Sequence, residues 1–387
     1  MPTLTHEITA AEQPRASKPA LEKFAFIIHP IDVKRDVARK GGAYSVAKYL
    51  PERTIEWLIK HKEPIVASHI TGVKSATGVE AEGWFIACPL TPRQLLSLPP
   101  EFVVKRLTQC GNLAESLGAK IIGLGAFTSV AGDGGVTVAK NLDIAVTTGN
   151  SYTVATAVEG ALDGARRMGT NIETAKVAVV GASGSIGRTC AHLMAGRVGE
   201  LSLVGRDIAK LEKVAAELGN TQVSMSSDVS RGLKDAAIVI TVTSAIDAVI
   251  LPEHLAVGAV VCDVARPRDV SVRVARERDD VLVIEGGVVA VPGKDVDFGF
   301  NFGFEPKTAY ACMSETMALA LEGRYEDFTL GKDVSTAQVT EITAIAKKHG
   351  FSLAGYRSFE RAVTDDHIKA IRQRAEERRK TVGRRAA

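Results

Sequence analysis

The chain lacks three things: an uninterrupted stretch of about 18 apolar residues, a C-x-x-C pair, and any sizeable net charge. Each absence removes a class of protein. Without the stretch no transmembrane helix is expected, and MPTLTHEITAAEQPRASKPALEK at the start holds no apolar core of signal-peptide length. The five cysteines, at positions 88, 110, 190, 262 and 312, are odd in number and scattered, which argues against a disulfide framework and a zinc knuckle. Reduced thiols in a cytoplasm, with no metal site, are the expectation. A formal charge of +3, from 48 basic and 45 acidic residues, leaves no overall field to hold nucleic acid. Charge is local instead: residues 361–387 carry nine Lys or Arg against four acids.

With 387 residues the chain can build two or three domains. Its pattern predicts an α/β protein: a leader over 1–22, an N-terminal α/β substrate domain over 23–165, and a Rossmann-type parallel-sheet domain over 166–295. A C-terminal helical region over 296–360 and a basic tail over 361–387 follow. The first folded part reads as a strand at FAFIIHP, a helix through DVARKGGAYSVAKYL, a strand at EPIVASHIT, a helix at 103–118 and a strand at 120–125. A helix from Val154 to Met168 leads into the second part. There β-branched runs at 176–180, 200–206, 236–242, 259–265 and 280–289, separated by helical stretches, call for a parallel sheet.

The segment KVAVVGASGSIG, residues 176–187, carries the strongest motif. A buried strand turns at Gly181, Gly184 and Gly187 into a helix whose unpaired N–H groups and dipole suit a pyrophosphate. Ser183, Ser185 and Ile186 complete the expected dinucleotide grip. At the end of the next strand the chain reads LVGRD, with Arg206 where NAD enzymes usually offer a carboxylate. A guanidinium there suits a 2′-phosphate, so the expected cofactor is NADPH. Asp207 is read as the cap of the following helix, and Lys210 as an assistant or a solvated charge.

Cys312, in KTAYACMSETMALALEG, is read on a helix running from near Pro306 to before Gly323. Ala309, Met313, Thr316, Met317 and Ala320 share its face, so periodicity leaves two readings open: a buried structural thiol, or a nucleophile in the second helical turn with Lys307 as a candidate cationic neighbour. The loops GAFTSV and TTGNSYT lie at predicted element ends, and Thr148 and Asn150, or backbone N–H groups, are candidate oxyanion donors. His29, closing the first strand, is a candidate proton donor. Phe298, Phe300, Phe302 and Phe304 alternate along one segment, either as a strand edge on the core or as a wall for an apolar ligand. Tyr44 and Lys48 mimic the Y-x-x-x-K pair of short-chain dehydrogenases but precede the glycine turn by over a hundred residues, so helical surface is expected there.

In this order FAFIIHP, GAFTSV, TTGNSYT, VAVVGASGSIG, VIEGGVV and YACMSETMALALEG resemble the cyanobacterial-type long-chain acyl-acyl carrier protein reductases, over about residues 24–355. The resemblance implies that Cys312 receives the acyl group, that NADPH reduces it and that a fatty aldehyde leaves. It implies a thioester donor, acyl carrier protein or acyl-CoA, as partner; the basic tail is a candidate contact for an acidic carrier or an anionic membrane. Around 290–305 the chain departs from the family pattern. Two other classes share the nucleotide turn: a quinate/shikimate dehydrogenase-like NADP oxidoreductase, and a non-catalytic NADP-binding sensor. Glutamyl-tRNA reductase places its nucleophile before the Rossmann unit, which this chain does not.

Overall fold

The computed structural model describes residues 21–386 except 31, 39–40, 246, 266, 300, 302–304, 332 and 360, and leaves the side chains of 43 and 382–386 undescribed. Strand β1 (Glu22–Ile28) buries Phe24, Ala25, Phe26 and Ile27 in succession, as a strand covered on both faces must. After it come α1 (Val33–Ala38), a 3₁₀ segment (Gly42–Tyr49) and α2 (Glu52–Ile59), which enclose a small apolar cluster of their own. The single helix expected through this stretch is thus two pieces, broken where Gly41 and Gly42 adopt positive φ. Then follow β2 (Ile65–Lys74), β3 (Glu80–Ala87), α3 (Pro92–Ser97), α4 (Pro100–Ser116), β4 (Ile121–Gly123), α5 (Val136–Lys140) and β5 (Ala145–Thr147). They form a five-stranded sheet in the order β2-β3-β1-β4-β5, antiparallel only between β2 and β3.

Helix α6 (Asn150–Arg167) crosses from this first sheet to a second. It packs on the second sheet's strands as well as on the helices of the C-terminal part, so it belongs to both cores. The second sheet takes β6 (Lys176–Val180), β7 (Glu200–Val204), β8 (Val223–Ser226), β9 (Ile238–Thr241), β10 (Val260–Asp263) and β11 (Leu282–Glu285), all parallel, in the order β11-β10-β9-β6-β7-β8. That is the dinucleotide-binding order, with the crevice at the carboxyl ends of β6 and β9 where the winding reverses. Helices α7 (Ser185–Met194), α8 (Ile208–Glu217), α9 (Val229–Leu233) and α10 (Val272–Glu277) intervene.

The run 280–289 does not form one strand. Gly286 and Gly287, the latter at φ +79°, end β11 and turn the chain into β12 (Val288–Ala290), which joins β13 (Thr308–Tyr310) and β14 (Ser352–Leu353) in a separate antiparallel sheet. From β13 the chain enters α11 (Ala311–Leu321), whose residues are all buried except Cys312, and later α12 (Thr336–His349). A helix buried on every side has no solvent face, which is why periodicity alone gave it none. It packs on β1, β4, α6 and α12.

The basic tail is structured: after β15 (Tyr356–Ser358) and β16 (Arg361–Val363), helix α13 (Asp365–Ala386) buries Ile368, Ile371 and Ala375. Arg378 reaches Asp279 and Asp280, so part of the tail's charge is already neutralised on the protein itself. Glu22, expected in the leader, opens β1 and accepts a hydrogen bond from Tyr325; residues 1–20 lie outside the described residues. Of the phenylalanine series, Phe298 is buried against Phe85 with ring centroids 6.2 Å apart, while 300, 302 and 304 lie outside the described residues. No helix among the described residues is long and apolar enough to cross a membrane.

Candidate active site

The glycine turn stands where the sequence puts it, between β6 and α7. Gly181 takes φ +87°, and a Cβ there would lie 2.5 Å from the Val242 carbonyl oxygen. At Gly187 a Cβ would sit 2.2 Å from the Gly181 oxygen, so only glycine lets the first turn of α7 close on the strand end. Gly184 precedes the helix without side-chain capping, which leaves the first-turn N–H groups of Ser185 and Ile186 to a ligand. Ser185 Oγ is buried with no hydrogen-bond partner among the described residues, and Ser183 stands beside it in the turn. An orphan hydroxyl at a helix N-terminus fits a phosphate oxygen. Arg206 is exposed just beyond β7 and makes no ion pair among the described residues. Asp207 caps α8 by accepting from the Lys210 N–H at 3.2 Å, and Lys210 is exposed and pairs with Asp207.

Cys312 differs from the other four cysteines. Those are fully buried, and burial pushes the Cys190 thiol up to about 12 and the Cys110 thiol well above its ordinary value. Cys312 is only partly buried. The helix carrying it begins five residues later than Pro306, because β13 occupies 308–310, and this puts Cys312 in the first turn, where the dipole acts most strongly. The start of α11 is fixed by the Ala311 N–H, which donates to the Gly287 carbonyl at 2.6 Å. Two more glycines crowd the thiol. A Cβ on Gly125 would lie 3.5 Å from Cys312 Sγ, and one on Gly149, at φ +74°, would lie 2.3 Å from Cys312 Cα. Gly149 directly precedes α6, so the N-terminal ends of two helices of 18 and 11 residues meet at Cys312.

Sequence reasoning missed Glu315, one turn along α11. Its fully buried carboxylate accepts from Thr147 Oγ1 at 2.5 Å, Tyr152 N–H at 2.8 Å and Thr329 Oγ1 at 3.3 Å. Burial nevertheless pushes its pKa up to about 7, the hydrogen bonds opposing only part of the desolvation. The one sequence signal was an acidic residue inside an otherwise apolar helix. Thr329, also unforeseen, holds φ +53° at the same spot, and Ala126, next to Gly125, holds φ +48°. Strained non-glycine backbone gathered at one place is what functional sites show.

Three candidates change role. The Thr148 hydroxyl donates to the Thr329 carbonyl at 2.5 Å, so its proton is not available to an oxyanion. His29 does close β1, edge-on to Phe127, but desolvation lowers its pKa to about 4, and at neutral pH it is an uncharged imidazole with no imidazolium proton to give. Lys307 is exposed and precedes β13 at φ +64°, outside the helix on which it was expected to sit beside the thiol. Asn150 is the first residue of α6, four residues ahead of the expected helix start, buried beside Gly149 and hence at the meeting point.

The sequence profile of shikimate / quinate 5-dehydrogenase matches residues 163–285, the stretch from the end of α6 through β11. The chain carries the nucleotide-binding unit of a nicotinamide-dependent oxidoreductase. Two characterised proteins are similar over a longer span. One is aminotransferase PigE of Serratia sp., 31% identical over 341 residues, covering 85% of this chain and 39% of that protein. The other is the long-chain acyl-[acyl-carrier-protein] reductase of Synechococcus elongatus, 27% identical over 343 residues, covering 83% of this chain and 95% of that protein. The chain therefore spans about two fifths of the first relative and nearly all of the second. Among solved structures, L-tryptophan dehydrogenase from Nostoc punctiforme overlaps 93% of this chain and 90% of its own at 13% identity, with a TM-score of 0.40.

Proposed function

We propose that the protein reduces a long-chain acyl thioester, carried by acyl carrier protein or coenzyme A, to the fatty aldehyde at the expense of NADPH, through an acyl group held on Cys312. The observation that carries this reading is the placement of the one incompletely buried cysteine in the first turn of α11, with the start of α6 pressed against it. A thiolate is the nucleophile such chemistry needs, and two helix N-terminal ends favour negative charge on sulfur. The Cys312 thiolate attacks the thioester carbonyl carbon, the carbon–sulfur bond to the carrier breaks, and the pantetheine thiol leaves with a proton. Negative charge that develops on the acyl oxygen meets first-turn N–H groups, which have no carbonyl partner within their own helix, and Asn150.

The nucleotide would be held by the Gly181–Gly187 turn, Ser185 and Arg206, and when bound its nicotinamide supplies the hydride. Cys312 then regains its electron pair as the carbon–sulfur bond opens and the aldehyde departs. Splitting the reaction in this way avoids displacing a bulky carrier in the reducing step. The similarity to the acyl-carrier-protein reductase across nearly its whole length supports the substrate class. The shikimate / quinate profile ends at 285, before α11, and so bears on the nucleotide unit alone.

The test is direct. Purified protein incubated with palmitoyl thioester and no NADPH should gain a palmitoyl mass on Cys312, and NADPH should then release hexadecanal, read by gas chromatography. Absence of both, or an adduct on another residue, overturns the reading. Oxidation of shikimate with NADP would select the polyol dehydrogenase instead.

A further inference from the structure

Helix α6 has no capping side chain of its own: the residue before it is Gly149, and no hydroxyl or carboxylate from the segment closes its first turn. The cap comes from another helix. Glu315, on α11, accepts the Tyr152 N–H, while its other oxygen holds the hydroxyls of Thr147 and Thr329, and Thr147 Oγ1 accepts in turn from the Gly149 N–H at 3.3 Å. Those partners span the end of β5, the start of α6 and the loop after α11. Thr329 is tied in turn to Ser151 Oγ at 2.6 Å and, through its carbonyl, to Thr148. The bonds converge on the residues that surround Gly149, and Gly149 is the residue that touches the Cys312 backbone.

We propose that Glu315 is the positioning residue of this site: by capping α6 from α11 it fixes the first turn of α6 against Cys312, so that the thiol stands between two helix N-terminal ends. The inference deepens the proposed function and, for its effect on turnover, rests on it. A carboxyl buried without a cation among the described residues is an expensive way to fill a core, since an apolar side chain of similar size would stabilise the helix at least as well. Three donors from three segments make it a geometric device.

The experiment measures the rate at which iodoacetamide modifies Cys312, located by mass spectrometry, at fixed pH in the full-length protein. It also measures the NADPH dissociation constant and thioester turnover. Glu315→Ala should slow modification of Cys312 about tenfold and lower kcat by a similar factor or more, with NADPH affinity and the KM for thioester within twofold. Glu315→Gln, which keeps an acceptor for the Tyr152 N–H, should recover most of both rates. Gly149→Ala, which displaces the same contact from the other side, should reproduce the defect. Wild-type modification rate in Glu315→Ala that still binds NADPH normally overturns the proposal. If that variant does not fold, the double variant Thr147→Val with Thr329→Val decides: slowing of at least threefold supports it, and an unchanged rate overturns it. Should the native protein reduce no thioester while Glu315→Ala still slows alkylation, the proposed function fails and the positioning role stands.

Discussion

The first turns of α7 and α11 are alike as backbone, each offering unpaired N–H groups and the positive end of a helix dipole, but their surroundings differ. Around α7 the glycines leave room: Gly184 is exposed, no side chain caps the helix, and Ser185 Oγ has no partner among the described residues. Around α11 the glycines admit other backbone instead of a ligand, with Gly287 fixing Ala311 and both Gly125 and Gly149 closing on Cys312. The first has the open, uncapped geometry that suits a phosphate. The second carries a thiol, the nucleophile of the proposed reaction, closed in by backbone. What packs against a helix N-terminus thus decides whether its N–H groups stand open or are closed in.

The largest effect that would sharpen this contrast is removal of the thiol. Cys312→Ser should lower aldehyde formation by roughly 10³-fold or more, as loss of a covalent nucleophile does, with the NADPH dissociation constant unchanged within twofold by fluorescence titration. Residual turnover near wild type would erase the distinction between the two helix starts. The reciprocal change is Gly187→Ala, whose Cβ would meet the Gly181 oxygen at 2.2 Å. It should weaken NADPH by on the order of 100-fold while iodoacetamide still modifies Cys312 at the native rate.

Smaller is Arg206→Ala. Losing a charge-assisted pair should raise the NADPH dissociation constant about tenfold to thirtyfold and leave NADH alone, and equal losses for both would remove the 2′-phosphate role. The smallest effect concerns pH. Glu315 has a folded-state pKa of about 7, above its ordinary value of 4.5, so the folded protein holds a proton there that the unfolded chain has released. The stability gained is present below about 4.5 and is lost as pH rises through 7. Between pH 5 and 8 the thermal midpoint of the native protein should therefore fall relative to that of Glu315→Gln by about 2–4 °C, and a constant difference would show that the carboxyl does not titrate there.

Much of the nucleotide half was legible because its signals are local. A β-branched run followed by glycines at fixed spacing dictates strand, turn and helix within a dozen residues, and Asp207 caps the next helix as read. The thiol site was legible only in part. Cys312 stood out by resemblance, but its helix start was read too early because Pro306 suggested a beginning that β13 overrides. His29 and Thr148 were named from element ends, and what altered their roles, burial in one case and a carbonyl from a distant loop in the other, leaves no trace near them in the chain.

By itself the sequence determined that this is an α/β protein with a dinucleotide turn at 181–187, since periodicity and glycine spacing act over a few residues. Only the tertiary structure decided which cysteine is partly accessible, that Gly149 and Gly125 meet it, and that Glu315 caps a helix 163 positions away in the chain. Those facts depend on three segments packing together, and burial, desolvation and long-range hydrogen bonds exist only once that packing has formed.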